Sequence, residues 1–245
     1  MSEKKIRNIE FYFDPSCPFC WITSRWLLQI STHRDIEITW RQFSLALKND
    51  ELERDVTAHS DAHRAGHRVH RVLRAAAERG ASLIDLYTAF GIAYHVAGFG
   101  FGDEVIADVL QEKQLPPELL AAADDTSYDE FLHGELQSAT EVAGENIGVP
   151  TIVFVNDDGT KRGYFGPVLN ELPDIEESLQ IWDGLEKLAG VNAFYELKRA
   201  RPSGDPYFDR FSMISCATFG GTSSYCASSM VLAARPWLIE RISPV

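Results

Sequence analysis

The residue pattern best suited to chemistry is Cys17-Pro18-Phe19-Cys20. Two intervening residues let both sulfurs reach bonding geometry within the first turn of a helix. A helix N-terminus also stabilises a thiolate through its dipole and free amides. Pro18 fits there, because it fixes φ at a position where no amide donor is needed. Cys17, at the helix tip, is then the expected nucleophile. Cys20, one turn further in, is expected to attack the resulting mixed disulfide and release the product. Half of a zinc site and two incidental core cysteines are the competing readings. The other two cysteines, Cys216 and Cys226, have nine residues between them, which is not the spacing of a zinc knuckle.

Other polar residues suggest roles of their own. Val149-Pro150 enters an apolar run, so Pro150 is either a cis proline or an ordinary trans proline that opens a strand. An imidazole at His95 can lower a nearby thiolate pKa or shuttle a proton, or it can simply end a helix before the Gly98-Phe99-Gly100 bend. Asn49 can bond a substrate or cap the helix that follows. His59, His63, His67 and His70 fall within about 80° on a helical wheel, flanked by Arg64, Arg68, Arg71 and Arg74. This stripe reads first as a solvated face, with metal binding or an anionic-substrate surface as the functional readings. No metal site is assigned.

The elements around the cysteines are legible. Ile6 to Phe13 reads as a strand that breaks at Asp14-Pro15-Ser16, with Ser16 as the expected helix N-cap. Trp21, Ile22, Trp26, Leu27, Leu28 and Ile30 give the following helix a broad apolar face. Ile36 to Phe43 alternates again, as a second strand parallel to the first, so the opening is a βαβ unit. From Asn49 to Glu145 the chain reads as four or five helices, with breaks near Gly80, Gly98 to Gly102 and Pro116-Pro117. Thr151 to Val155 and Lys161 to Phe165 read as a hairpin, and Leu169 to Ala189 and Asn192 to Arg199 as helices. This order predicts an α/β fold interrupted by a helical insertion. The expected division is 1–45 and 146–209 for the α/β domain, 46–145 for the insertion and 210–245 for an atypical tail. That tail holds two of the three methionines, seven serines and three arginines against one acidic residue.

The 245 residues are long enough to bury a sizeable core, and 45% are hydrophobic against 24% charged, as in ordinary folded proteins. A net charge of -13 disfavours nucleic acid and anionic membranes as partners. No apolar run approaches the ~20 residues of a membrane span, and the start lacks the continuous apolar core of a secretory signal. A cytoplasmic location is therefore expected, where the cysteines stay reduced unless they are catalytic or bind metal.

The segments FDPSCPFCWITSRW, SLALKND, LYTAFGIAYH, GVPT, YFGPVL and FYELKR together resemble the DsbA family of thioredoxin-fold oxidoreductases. More narrowly, they resemble the actinobacterial mycothiol-dependent nitroreductases, over roughly residues 8 to 209. The resemblance implies a thioredoxin-like fold with a helical insertion and a cis Pro150 packed beside the cysteines. It also implies reduction by mycothiol or a related small thiol, with no tightly bound cofactor, and small electrophilic, nitroaromatic or disulfide substrates. Cys17, Pro18, Cys20 and Trp21 match the family's active-site stretch, Asn49 and His95 match polar positions lining the site, His59 falls at its mouth, and Phe19, Trp21, Asn49, Val149 and His59 are the expected substrate-binding residues. Phe19 stands where the family usually has tryptophan, which removes an indole donor and bears on nitroaromatic specificity. A homodimer is one assembly state the sequence allows. Two alternatives are a thiol-cofactor enzyme like kappa-class glutathione transferase or hydroxychromene-carboxylate isomerase, whose relatives usually place serine at Cys17, and a metal-binding protein without turnover.

Overall fold

The computed structural model describes residues 8–156, 158–200 and 206. The tail expected at 210–245 lies outside these residues. Four strands form one sheet in the order β2-β1-β3-β4. β1 (Asn8–Phe13) is central, and every residue after Asn8 is buried, including Glu10. It pairs in parallel with β2 (Glu37–Gln42) and antiparallel with β3 (Thr151–Val155), and β3 pairs antiparallel with β4 (Lys161–Phe165). The expected βαβ unit and hairpin are both present. β1 and β3 read as near-continuous apolar runs because they lie inside the sheet, whereas β2 and β4 are its half-exposed edges.

α1 (Pro18–Ser31) connects the parallel strands. Ser16 does not cap it: the N-cap is Cys17, and the Ser16 hydroxyl donates to Asp14 Oδ1 instead. α7 (Ile175–Ala189) packs along α1, where the Trp26 and Trp182 rings lie 6.3 Å apart with their planes tilted by 50° and Trp26 Nε1 donates to the Ser178 carbonyl. This last helix is shorter than its apolar periodicity suggested, because Pro173 precedes the Asp174 cap. Residues 192–199 form no helix. Tyr195 and Leu197 are more than four-fifths exposed, so a helix there would have no buried face to stabilise it.

Between β2 and β3 the described chain is helical. A short α2 (Leu45–Lys48) precedes α3 (Ser60–Ala77) and α4 (Leu83–Gly91), which runs on into a π-helical turn at Ile92–Val96. α5 (Asp103–Glu112), a 3-10 segment at Pro117–Asp124, a 3-10 turn at Thr126–Tyr128 and α6 (Asp129–Ala143) follow. α6 returns to the sheet, where Glu135 forms a two-point salt bridge with Arg41 of β2 at 2.6 and 2.7 Å. Among the described residues no helix is long and apolar enough to cross a membrane.

The histidine stripe of α3 does not face solvent as expected. His67 and His70 are buried, and His63 is bonded to the buried Glu51. His67 bridges Ser44 Oγ and Asp129, while His70 lies between Gln42 and Asp14. The arginines are neutralised locally and offer no open basic surface. Arg64 pairs with Asp55 and Asp61, Arg68 with Asp103 and Asp124, Arg71 with Asp129, and Arg74 with Glu78.

Candidate active site

β1 ends at Phe13, and the chain turns through Asp14, Pro15 and Ser16 before α1 begins. The Cys17 amide donates to the Asp14 carbonyl at 3.1 Å, which closes that turn and places Cys17 at the helix tip. Cys17 and Cys20 are both thiols here. Cys17 is 7% exposed and Cys20 is fully buried, so solvent reaches the pair through Cys17. Burial, followed by the hydrogen bond and charge of Cys17, pushes the Cys20 thiol well above the ordinary cysteine range.

Val149-Pro150 faces this turn across the sheet end. Its peptide bond is cis, as is Gly166-Pro167. The Cys17 thiol approaches the Val149 carbonyl at 3.6 Å, and the Gly166 amide donates to the Pro150 carbonyl at 2.7 Å. Thr23 of α1 donates to the Pro167 carbonyl, so both loops are tied to the cysteine helix. A helix-tip thiol can attack a disulfide presented to it.

Behind Cys20 the Trp21 ring is fully buried. The Arg25 guanidinium lies 4.1 Å from its centroid, and His95 stacks on it at 5.8 Å with an interplanar angle of 20°. His95 rides on the π-helical turn, a distortion that often marks functional positions. Its Nε2 donates to the Pro15 carbonyl at 2.9 Å. Burial pushes its pKa down to about 4, so at neutral pH the ring carries no charge. An uncharged ring exerts no cationic pull on a thiolate. What it provides is an anchor for the turn before Cys17.

The other expected residues are dispersed. Phe19 is half-buried against the core next to the cysteines. Asn49 ends α2 and does not cap the next helix, which begins only at Ser60, and its amide reaches Glu51 Oε2 at 3.4 Å. His59 is exposed at the start of α3, with its ring 6.1 Å from that of His63. Among the described residues no hydrogen bond, ion pair or ring contact joins His59 to the cysteine turn, and no three His, Cys, Asp or Glu side chains could together hold a metal ion.

Two residues at the site were not foreseen. Asp14 is fully buried, with Oδ1 accepting from Ser16 N and Oγ at 2.8 and 2.6 Å and Oδ2 accepting from Leu45 N at 2.8 Å. Burial works against its charge, but the His70 ring and these donors outweigh it and hold the carboxyl below its ordinary range. Arg25 is fully buried and donates to Ser24 Oγ and Thr88 Oγ1. The signals in the sequence were an acidic residue three positions before a cysteine and a cation inside an apolar helix face.

A parallel βαβ unit joined to an antiparallel hairpin, with a helix-tip cysteine pair facing a cis proline, defines the DsbA-like thioredoxin fold. The cytosolic disulfide reductase DsbM from Pseudomonas aeruginosa shares it with a TM-score of 0.51 at 14% identity, covering 74% of this chain and 100% of that one. The probable DsbA oxidoreductase SCO1869 from Streptomyces coelicolor has a TM-score of 0.47 at 19% identity, covering 80% and 96%. Residues 16–199 match the Rv2466c-like family, described as mycothiol-dependent nitroreductase Rv2466c, and the chain belongs to that family. The uncharacterized protein Rv2286c of Mycobacterium tuberculosis is 30% identical over 226 residues, covering 85% of this chain and 92% of its own.

Proposed function

We propose that the protein is a cytoplasmic thiol-disulfide oxidoreductase in which Cys17 attacks and Cys20 resolves. The observation that carries this is the placement of a partly accessible Cys17 thiol at a helix tip, 3.6 Å from the Val149 carbonyl, above a fully buried Cys20. The Cys17 thiolate attacks a substrate disulfide, its sulfur bonds to one substrate sulfur, and the other leaves as a thiolate. Cys20 then loses its proton and attacks Cys17, releasing the second thiolate and leaving the Cys17-Cys20 disulfide. Two electrons have passed to the substrate.

Family membership supports mycothiol as the small thiol that returns the pair to the dithiol. It also supports nitroaromatic reduction, in which the two electrons and two protons of the dithiol convert a nitro group to a nitroso group and water. Phe19, Asn49 and Val149 are the residues we assign to substrate binding, with the buried Trp21 backing Cys20, Pro150 ordering the loop beside Cys17 and His95 anchoring the turn.

Mass spectrometry under non-reducing conditions tests the assignment. Cys20→Ser incubated with oxidised mycothiol should retain one mycothiol on Cys17, whereas the wild type should pass to an internal disulfide with no adduct. A Cys20→Ser protein that never acquires the adduct, alongside a wild type that forms no internal disulfide, overturns dithiol cycling.

A further inference from the structure

The register of α3 against the end of β1 is fixed by two contacts. His70 lies beside Phe13, with ring centroids 6.0 Å apart, and its Nε2 is 3.6 Å from Asp14 Oδ2. One turn earlier on α3, a Cβ at Gly66 would lie 2.8 Å from Asp14 Oδ1 and 3.1 Å from Ser16 Cβ. The helix and the strand end therefore run in opposite directions, and each earlier turn of α3 lies about 5.4 Å further past the strand. His63 is the turn before Gly66, on the same stripe as Gly66 and His70. This places it at the rim of the turn that presents Cys17.

A buried carboxylate holds the His63 ring. The Glu51 side chain is fully buried, and its Oε2 accepts from His63 Nδ1 at 2.5 Å. Thr57 Oγ1 and Ser60 Oγ donate to its Oε1 at 2.8 and 2.9 Å, and Asn49 Nδ2 reaches Oε2 at 3.4 Å. Burial opposes the charge of Glu51, but His63, Thr57 and Ser60 outweigh it and hold the carboxyl below its ordinary range, so it acts as an acceptor. Nδ1 then carries the ring hydrogen, and Nε2 is the nitrogen left to exchange a proton. The His63 side chain is 14% exposed, and among the described residues no hydrogen bond engages Nε2. The neighbouring cation, Arg64, is engaged by the carbonyls of Glu51 and Arg54 and by Asp55 and Asp61. His67, by contrast, has both ring nitrogens bonded inside the fold. A ring fixed through one nitrogen and open at the other has the form of a general acid.

We propose that His63, oriented by Glu51, is the general acid of the first thiol-exchange step and protonates the sulfur that leaves when Cys17 attacks a substrate disulfide. This rests on Cys17 being the nucleophile. The target is not Cys17, to which no hydrogen bond joins His63 among the described residues, but the far sulfur of the bound disulfide, about 2 Å beyond the one attacked. The Cys17 thiolate bonds to the near sulfur and the substrate S–S bond breaks. The departing sulfur takes the Nε2 proton of the protonated ring and leaves as a thiol. Solvent returns a proton to the neutral ring, and no electron passes through it. The substrates this favours are disulfides of alkyl thiols, whose leaving thiolates are basic, with an ordinary cysteine value of about 8.5. A nitro-substituted aromatic thiolate spreads its charge into the ring and leaves without a proton.

The two kinds of leaving group provide the test, using full-length protein with Cys20→Ser to isolate the first attack and with Cys216 and Cys226 replaced by serine. Bis(2-hydroxyethyl) disulfide is the alkyl probe, with the adduct on Cys17 followed by quenching and intact mass. The disulfide of 5-thio-2-nitrobenzoate is the aromatic probe, followed by colour. His63→Asn sets an amide nitrogen where Nδ1 stood, which keeps a donor for Glu51 and removes Nε2. It should attack the alkyl disulfide about tenfold more slowly and the aromatic disulfide at close to the parent rate. His63→Gln, whose amide cannot give up a proton, should show the same selective loss. An alkyl rate retained in either variant overturns the proposal, as does equal slowing with both disulfides, which would make His63 a structural support. A parent protein that forms no adduct with either disulfide overturns the Cys17 assignment itself, and the general acid with it.

Discussion

Gly91 stands against the face of Trp21, where a Cβ would come within 2.2 Å of Cζ3 and 2.3 Å of Cε3. This glycine sets how closely α4 approaches α1, at the residue next to Cys20. An alanine in place of a helical glycine ordinarily adds about 1 kcal/mol of stability. Here the ring has little room to retreat, because it is fully buried with the Arg25 guanidinium 4.1 Å from its centroid. Gly91→Ala is therefore expected to destabilise by about 1–3 kcal/mol in urea unfolding. Gly134 of α6, with nothing within 4 Å of its would-be Cβ, is the internal comparison. Gly134→Ala should be neutral or stabilising, and an equal gain at both sites would show that Trp21 yields.

The Arg41–Glu135 pair links the sheet to the last helix before β3. The guanidinium is 22% exposed and the carboxylate 11%, and Arg41 also reaches Glu10 Oε1 at 3.1 Å. Removing one partner leaves the other partly buried without its two-point contact. Glu135→Ala should cost roughly 1–3 kcal/mol. If the helices between β2 and β3 unfold with the sheet, the variant should shift the transition without broadening it. Two separated transitions in the variant would mean that this pair couples two units of independent stability.

The sheet and the cysteine helix were readable because their signals are local. Alternation at Ile36 to Phe43, the apolar run at Thr151 to Val155 and the cysteines after a strand break each suffice over a few residues. The histidines of α3 were misread because their partners are remote in sequence. Asp14, Glu51 and Asp129 turn three of the four side chains inward, and helical periodicity alone does not reveal that the opposite face is buried too. Phe194, Tyr195 and Leu197 misled for the opposite reason, since helical spacing without a surface to pack on does not make a helix. Asp14 was passed over because Asp-Pro-Ser reads as an ordinary turn, and its burial comes from Gly66, more than fifty residues away.

The buried histidines set how the fold responds to acid. Both ring nitrogens of His67 are engaged, Nδ1 with Ser44 Oγ at 2.8 Å and Nε2 with Asp129 Oδ1 at 3.0 Å. Burial, with the charges of Arg71 and His70, pushes its pKa down to about 4, and burial does the same to His95. In the unfolded chain both return to about 6.5. As pH falls below that value the unfolded state binds protons that the folded state refuses, so stability drops, and the drop levels off near pH 4. Asp14, Glu51 and Asp129 act lower. Their folded pKa values are depressed, so their contribution is complete above the ordinary carboxylate range and is lost progressively from there down through the lower folded values. Urea unfolding from pH 7 to 4 should therefore show stability already falling above pH 5, before the carboxylates contribute. His67→Gln, which cannot titrate, should remove on the order of 3 kcal/mol of that fall. A variant whose stability declines over this range as steeply as the wild type would mean that His67 takes up its proton near the ordinary value despite its burial.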